Sequence, residues 1–306
     1  MAAVDLSIVI VSWNTKALLL DCLASVYHTL RDLTFEVFVV DNASSDGSVA
    51  GVREQYPQVK VIQNDRNLGF AAANNKALRQ IAGRYALLLN TDAVLTEGSV
   101  GNLLRFMDAH PRVAMGCGQL LNANGTKQNS IANFPTLLTL LGNEALLRIL
   151  WPKRFPSKRR DYAMPIPVES CIGACLMVRK AAMDEVGLLD ERYFFFMEET
   201  DWALTMRKAG WECWFVPEAR TYHLQGQSAG DQVSARIMFY RSRYQYFRKW
   251  YGGWLYLFGA SIVLRLVVNL LVHAAGFVLT LGKSPGRLLR VKRYARLLGW
   301  HLKGCP

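Results

Sequence analysis

Patterns of buried strands and one-sided helices alternate through the first ninety residues of the chain. The run LSIVIV (6–11) is continuously apolar and β-branched, as expected of a parallel strand covered on both faces. Behind it, Leu19, Leu23, Val26 and Leu30 recur at helical spacing over 15–30. FEVFVVD (35–41) reads as a second strand, and Ser45-Asp46-Gly47-Ser48 opens a helix near 48–56. VKVI (59–62), GFAAANNKALRQIA (69–82) and YALLL (85–89) continue as strand, helix and strand. This alternation predicts an α/β fold with a parallel or mostly parallel sheet flanked by helices. In such sheets ligands bind at the carboxyl ends of the strands. Beyond residue 110 the pattern loosens. VESCIGACLMV (168–178) and WECWFV (211–216) read as strands, and ETDWALTMRKAG (199–210) as a helix ended by Gly210.

From residue 236 the chain turns aromatic and basic, then carries a long apolar run at 254–281 and a basic helix at 283–303 with Leu288, Leu289, Leu297 and Leu298. The apolar run is long enough to span a bilayer, which takes roughly 20 residues. Arg265, Asn269 and His273 interrupt it at spacings of four, on one helical face. That suits a helix in the membrane plane, or a helix pair, better than a clean span. Net charge sharpens this picture. The chain carries +12, concentrated in LRILWPKRFPSKRR (147–160) and in 283–303, while the first ninety residues are near neutral. The placement points to an anionic membrane surface and anionic small substrates, with no nucleic acid. None of Cys22, Cys117, Cys171, Cys175, Cys213 and Cys305 forms a CxxC pair, so neither a zinc site nor a disulfide framework is expected, and a reducing compartment is. MAAVDLSIVIVSWN has no basic n-region, so no cleaved signal peptide is expected.

The chemistry gathers where the predicted strands end. Strand 1 runs into Ser12-Trp13-Asn14, strand 2 into Asp41-Asn42, strand 3 into Asn64-Asp65 and strand 4 into Asn90-Thr91-Asp92. One such end is a helix cap; four coincident ends suggest a ligand edge. The first turn, SWNTKA, lacks GxGxxG, and no GxxxxGK[ST] loop exists, so a nucleotide must be held otherwise. A carboxylate such as Asp41 can accept the N3–H of uracil or thymine. Asp92 can hold a divalent cation, Mg2+ or Mn2+, against a diphosphate. A second cluster, YFFFMEETDW, places Glu198, Glu199 and Asp201 behind an aromatic run, with no basic residue at i+3 or i+4. Acids in a first helical turn suit the helix dipole. Acids crowded without counter-charge also acquire raised pKa values, which suits a general base. His223, in RTYHLQGQS with Gly226 close behind, is either structural or a metal or phosphate ligand.

In order and together, SIVIVSWN, VVDNASSDGS, NDRNLGFAAANN, LLLNTDAVL, GACLMVRKAAMDEVGLLDERYFF, MEETDWALTMRKAGW and HLQGQS resemble the family 2 glycosyltransferases of GT-A fold, in particular bacterial rhamnosyltransferase-like members, over roughly residues 5–250. The resemblance implies donor-nucleotide contacts from Ser12, Asn14, Asp41, Asn67, Gly69, Asn74 and Asn90, with Arg241 or Arg243 on the diphosphate. It puts Asn90-Thr91-Asp92 at the DxD position, so that metal holding falls on Asp92 with His223. It makes Glu198-Glu199 the pair that carries the catalytic base, with Glu199 where an Asp is usual. The reaction it implies is an inverting, metal-dependent transfer of a sugar from a nucleoside diphosphate, dTDP-L-rhamnose foremost, to a hydroxyl of a polyprenyl-diphosphate-linked glycan precursor in cell-envelope polysaccharide synthesis. A UDP-hexose or UDP-N-acetylhexosamine transferase is the nearest alternative. A sugar-phosphate nucleotidyltransferase would want a Gly-rich, Arg-containing loop after strand 1, which SWNTKALL lacks, and a catalytically silent membrane scaffold would have no use for acids at both 92 and 199. The expected organisation is a glycosyltransferase domain over 1–235, with a nucleotide half to about 110 and an acceptor half over 111–235, followed by a membrane-associating region over 236–306. The expected location is the cytoplasmic face of the bacterial plasma membrane, peripheral or monotopic, and self-association is left open.

Overall fold

A computed structural model describes residues 4–142, 144–157, 160–224 and 232–304. The chain divides into two compact units: Met1–Phe134 with Arg148–Ser228, and Pro135–Leu147 with Ala229–Pro306.

The first unit opens with β1 (Leu6–Ser12), α1 (Lys16–Thr29), β2 (Phe35–Asp41), α2 (Ser48–Gln55), β3 (Lys60–Gln63), α3 (Phe70–Leu78) and β4 (Tyr85–Asn90). β1 lies between β2 and β4, β3 lies outside β2, and all these pairings are parallel. The continuous apolar runs are explained: Ile8, Val9, Ile10, Val39, Val40, Leu87 and Leu88 are fully or almost fully buried, because helices cover both faces. α3 stops at Leu78, four residues before the expected end. The following turn packs against β1, where Gly83 N donates to Ser7 Oγ (2.9 Å) and a Cβ on Gly83 would strike the Ser7 backbone.

The second half is mixed. β5 (Ala93–Leu95), α4 (Ser99–Ala109), β6 (Val113–Leu121) and β7 (Ile131–Ala132) come first. The short α5 (Leu137–Leu141) and α6 (Glu144–Leu150) follow, then β8 (Ile166–Val168), β9 (Ser170–Cys171), β10 (Cys175–Arg179), α7 (Lys180–Val186), α8 (Glu198–Lys208) and β11 (Glu212–His223). β10 is inserted antiparallel between β4 and β6. The single strand expected over 168–178 is therefore broken. Ser170–Cys171 pairs with β7 in a small separate sheet, and Ile172-Gly173-Ala174 carries the chain across to the main one. β6, whose Gly116, Cys117 and Gly118 blur its periodicity, is buried at the centre of this half.

The strand expected at 211–216 continues to His223. β11 runs parallel to β6, shifts register between Val216 and Arg220, and then pairs antiparallel with β5 through Thr221–His223. Pro217 sits in the shifted segment, where no ladder N–H is required of it. Gly118 makes the bulge feasible, since a Cβ there would overlap the Ala219 carbonyl.

The second unit contains α5, α9 (Gln232–Tyr251), a 3-10 turn (Gly252–Trp254), α10 (Leu255–Leu279) and α11 (Pro285–Leu302). Among the described residues, one stretch, within Val233–Leu279, is long and apolar enough to cross a bilayer, and little of it is buried. The polar stripe of α10 is turned to its neighbours. Arg265 donates to the Leu140 carbonyl (3.3 Å), and the His273 ring stacks on Tyr294 of α11 at 5.5 Å. Leu264, Val268, Leu271, Val272, Val278 and Leu279 are at least half exposed. Arg265 and His273 thus each reach a neighbouring helix, Phe258, Ile262 and Leu266 are buried, and a further apolar face is left exposed.

Two glycines of β6 should respond differently to substitution. At Gly116 the obstacle is the flexible Met107 side chain, whereas at Gly118 it is backbone. Gly118→Ala is expected to lower stability by about 1–3 kcal/mol, the usual range for overpacking, and Gly116→Ala by clearly less. Urea denaturation of both variants checks the order.

Candidate active site

Three loops meet beyond the carboxyl ends of β1, β2 and β3. Asn14 adopts the left-handed region (φ 52°), and its side-chain oxygen accepts from Ser45 N (2.8 Å) while its own N–H donates to Ser44 Oγ (2.9 Å). The first two loops are thereby tied together. Ser12 supports the same junction, its hydroxyl against Thr15 (3.1 Å) and its carbonyl accepting from Asn42 N (2.8 Å). Asn64 donates to Asn42 Oδ1 (2.8 Å), and Asn42 donates to the Gly69 carbonyl (3.2 Å), which ties in the third loop. Asp41 is 1% exposed in the midst of this network. Its Oδ2 accepts from Ser44 N (3.0 Å), and its Oδ1 has no hydrogen-bond partner. A buried acceptor left unmade costs about 1–3 kcal/mol, which a ligand donor can return.

The remaining residues expected at the nucleotide play local parts in this geometry. Asn67 Oδ1 accepts from Gly69 N (2.9 Å). Gly69 has φ +81°, and a Cβ on it would overlap the Phe194 carbonyl, which accepts from Phe70 N (2.7 Å). Gly69 is therefore where the aromatic loop before α8 lands on α3. Asn74 donates to the Phe70 carbonyl (2.9 Å) and keeps a buried, unpartnered Oδ1. Asn75 is a residue that sequence reasoning missed. It brackets Leu189 through both backbone groups and donates to Glu191 (2.9 Å), anchoring the same loop. An asparagine inside a helix gives no sign of such a distant partner.

Asp92 and His223 are joined by the β5–β11 pairing. Leu224 N donates to the Asp92 carbonyl (2.9 Å), and His223 Nε2 lies 3.3 Å from Asp92 Oδ1, both side chains being buried. Gln128, also missed from sequence, determines what that contact means. Its amide nitrogen donates to the His223 carbonyl, so its Oε1 is the atom 3.0 Å from His223 Nδ1. An amide oxygen only accepts, so Nδ1 carries the proton. Nε2 of the neutral ring then presents a lone pair to a carboxylate oxygen. Two acceptors at this distance require a proton or a cation between them. Among the described residues no group of three or more acidic, histidine or cysteine side chains surrounds this point. A carboxylate and an imidazole do fit a divalent ion whose remaining positions are filled by phosphate oxygens and water. Residues 225–228, the remainder of the motif that begins at His223, lie outside the described residues.

The third group of side chains arrives on α8. Phe196 and Met197 both have left-handed backbones (φ 71° and 73°) immediately before Glu198. Each costs about 1–2 kcal/mol for a residue with a side chain, strain of the kind that collects at functional sites. The segment before β10 supplies the link to the Asp92–His223 pair. Asn90 N donates to the Ala174 carbonyl (3.0 Å), and a Cβ on the adjacent Gly173 would lie 3.9 Å from the Glu199 Cβ and Cγ. Glu199 therefore rests on the segment that borders Asn90-Thr91-Asp92. Burial pushes its carboxyl up to about 7, and its Oε2 is shielded without a partner. Glu198 is 4% exposed, and burial, then the neighbouring Glu199 charge, raises it well above the usual range. Asp201 is occupied elsewhere, accepting from the Tyr193 hydroxyl (3.1 Å) in the interior. Arg241 and Arg243 belong to the second unit, on α9, where the Arg243 guanidinium lies over the rings of Phe239 and Phe247.

Residues 7–187 match the family model described as glycosyl transferase family 2. The N-acetylglucosaminyl-diphospho-decaprenol L-rhamnosyltransferase of Mycobacterium tuberculosis is 30% identical over 234 residues, covering 71% of this chain and 76% of that protein. An N-acetylglucosaminyltransferase of Mesorhizobium japonicum is 27% identical over 238 residues, covering 74% of this chain and 52% of that protein. In fold, the chain is similar to a mannosyltransferase from Pyrobaculum calidifontis solved with GDP-Man and Mn2+ (TM-score 0.59, 17% identity, 97% of this chain and 86% of that one). It is also similar to GalNAc-T7 solved with UDP, GalNAc and Mn2+ (TM-score 0.58, 17% identity, 80% and 48%). These likenesses bear out the GT-A type α/β architecture.

The raised Glu199 carboxyl makes a stability prediction with a definite sign. Its folded pKa, about 7, lies above the ordinary 4.5. The folded state therefore binds more protons than the unfolded state between these values, and stability falls as pH rises through that window. Glu199→Gln removes the ionisation. The variant should gain stability relative to the parent on going from pH 4 to pH 8, as read by urea denaturation at both.

Proposed function

This chain belongs to glycosyl transferase family 2 and is a glycosyltransferase, and from that premise we propose that it moves L-rhamnose from dTDP-L-rhamnose to a sugar hydroxyl on a polyprenyl-diphosphate lipid at a membrane surface. The observation that carries the proposal is the Asp92–His223 acceptor pair, bordered by the segment on which the half-buried Glu199 rests. A cation site and a base site are thus built at one sheet edge. The name of the mycobacterial relative supports the sugar and the lipid carrier.

Asp41 Oδ1, buried without a partner, accepts the N3–H of the base. Uracil presents the same donor as thymine, so UDP-sugars are the competing reading. Asp92 and His223 are the residues that would hold Mg2+ or Mn2+ at the donor diphosphate. A bound divalent ion supplies Lewis-acid stabilisation of the leaving nucleoside diphosphate. Glu199 takes the proton of the acceptor hydroxyl as that oxygen attacks the anomeric carbon, in a single inverting displacement. A carboxylate near pKa 7 is matched to this task, because it is substantially ionised at neutral pH yet basic enough to capture a proton. Glu198, more deeply buried, is raised by burial and then by the Glu199 charge, so it keeps its proton when Glu199 ionises.

The second unit supports the membrane reading. α10 turns apolar residues outward, and α11 follows with Arg287, Arg290, Lys292, Arg293 and Arg296. Apolar area and cations together are what peripheral attachment to anionic lipid requires. Placement at the cytoplasmic face of a plasma membrane is the part of the proposal that joins this surface to a cytoplasmic nucleotide sugar.

Four outcomes are expected. In a panel of nucleotide sugars assayed by nucleotide release, dTDP-L-rhamnose should be turned over at least tenfold faster than UDP-sugars. EDTA and Asp92→Ala should each abolish turnover, with Mn2+ or Mg2+ restoring only the EDTA-treated enzyme; a UDP-sugar preference would sink the donor assignment. Glu199→Gln should lower the rate by about 10²–10⁴-fold and remove a rising pH–rate limb near 7; a larger loss in Asp201→Asn would move the base. Reversing Arg290, Lys292 and Arg293 to Glu should weaken binding to anionic vesicles by about 10²-fold or more, at roughly 1 kcal/mol per cation, and leave neutral vesicles nearly unaffected.

A further inference from the structure

The second unit holds a cavity of about 620 Å³ among α9, α10 and α11. Arg241, Tyr244 and Arg248 enter it from α9, Ala260 from α10, and Trp300 and His301 from α11. Arg241 and Arg248 are seven residues apart, two turns along one helix face, and about 10 Å apart along the axis. Long side chains close that distance readily. Arg248 makes no ion pair among the described residues, and the sequence offers it none nearby: every charged residue after Asp231 is a lysine or an arginine. His301 is 8% exposed. Its Nδ1 donates to the Leu297 carbonyl (2.8 Å), since a carbonyl only accepts, and its Nε2 is buried with no partner. Tyr240 and Trp300 hold the ring edge-on at 4.9 Å, so it cannot turn away. Leu255 and Val263 carry the apolar character of α10 into the same cavity, and Leu264, Val268 and Leu271 continue it outside.

We propose that this cavity receives the diphosphate headgroup of a polyprenyl lipid, with Arg241 and Arg248 on the phosphates, His301 at its inner wall and the prenyl chain leaving along the outward face of α10. Two guanidiniums suit a group with two phosphates. Each can give a forked pair of N–H donors to phosphate oxygens. The neutral His301 Nε2 is an acceptor, and next to a diphosphate its protonated form becomes a further donor. The volume exceeds what a single phosphate needs and leaves room for the first part of an apolar chain. Arg241, expected from the resemblance to meet the donor diphosphate, is here assigned to the lipid instead. This site rests on the reading that the acceptor is carried by a polyprenyl diphosphate, and it adds where that carrier is gripped.

The test uses the full chain in neutral detergent micelles, without nucleotide sugar, and measures binding of geranylgeranyl diphosphate by calorimetry. Geranylgeraniol, inorganic diphosphate and phosphatidylglycerol should each bind at least tenfold more weakly. Arg248→Ala should weaken geranylgeranyl diphosphate about tenfold, and Arg241→Ala with Arg248→Ala further. Ala260→Trp, a plug at an exposed position, should block it, and this variant decides the matter if the arginine variants do not fold. Equal affinity for phosphatidylglycerol, or unchanged affinity in Ala260→Trp, overturns the proposal. A transfer assay separates this failure from that of the enzymatic reading. Transfer to lipid-linked acceptor with an unaltered KM in Arg248→Ala removes the headgroup site alone. Tight, variant-sensitive prenyl-diphosphate binding without any transfer to lipid-linked acceptors keeps the site and removes the acceptor assignment.

Discussion

The antiparallel pairing of Thr221–His223 with Ala93–Leu95 is the contact on which the candidate centre depends. Asp92 precedes one strand and His223 ends the other, so the ladder itself brings carboxylate and imidazole to 3.3 Å. β11 reaches that register only by first running parallel to β6 and then shifting over Ala219, a bulge that needs Gly118 to have no side chain. Gln128 uses both ends of its amide on His223 and thereby directs Nε2 at the carboxylate. A conflict between two acceptors is built into the fold, and a cation or a proton resolves it.

The same edge holds other unmet demands. Asp41 Oδ1, Asn74 Oδ1 and an oxygen each of Glu198 and Glu199 are buried without partners, and two successive left-handed residues precede α8. Such features lower stability unless something compensates. Here the compensation comes from the covered parallel half, whose β1 and β4 are almost wholly buried, and from the Asn75 and Tyr193 hydrogen bonds that fix the loop before α8. On the proposed reading, the groups that would receive a base, a cation and a proton are held in place by residues outside the site.

In the second unit α10 is apolar both on its buried face, through Phe258, Ile262 and Leu266, and over much of its exposed surface. Arg265 and His273 of α10 face other helices of the unit, and leucines and valines face outward. In water this arrangement would leave a large apolar stripe exposed, which marks a membrane or protein contact. With the cations of α11 alongside, this surface is the one on which the proposed membrane attachment rests, and the neighbouring cavity is the one proposed for a charged headgroup.

Local pattern was enough to read the parallel half: uninterrupted apolar runs encode strands buried on both faces, and each ended in a polar residue at the ligand edge, Asp41 and Asp92 included. It was also enough to mark Glu198, Glu199 and Asp201 as an uncompensated acidic cluster. Tertiary structure alone separated these three, because burial and the Tyr193 hydroxyl reach them from elsewhere in the fold. It alone showed that residues 170–171 and 175–179 form separate strands, that 212–223 form one, and that β6 lies between β10 and β11 in the sheet. Glycine, cysteine and proline blur the two-residue period, and the pairing partners are dozens of residues away. The stripe of Arg265, Asn269 and His273 was visible in the sequence as one face of a helix. Which way that face turns depended on α5 and α11, since periodicity gives the angle between side chains on a helix and says nothing of what stands opposite them.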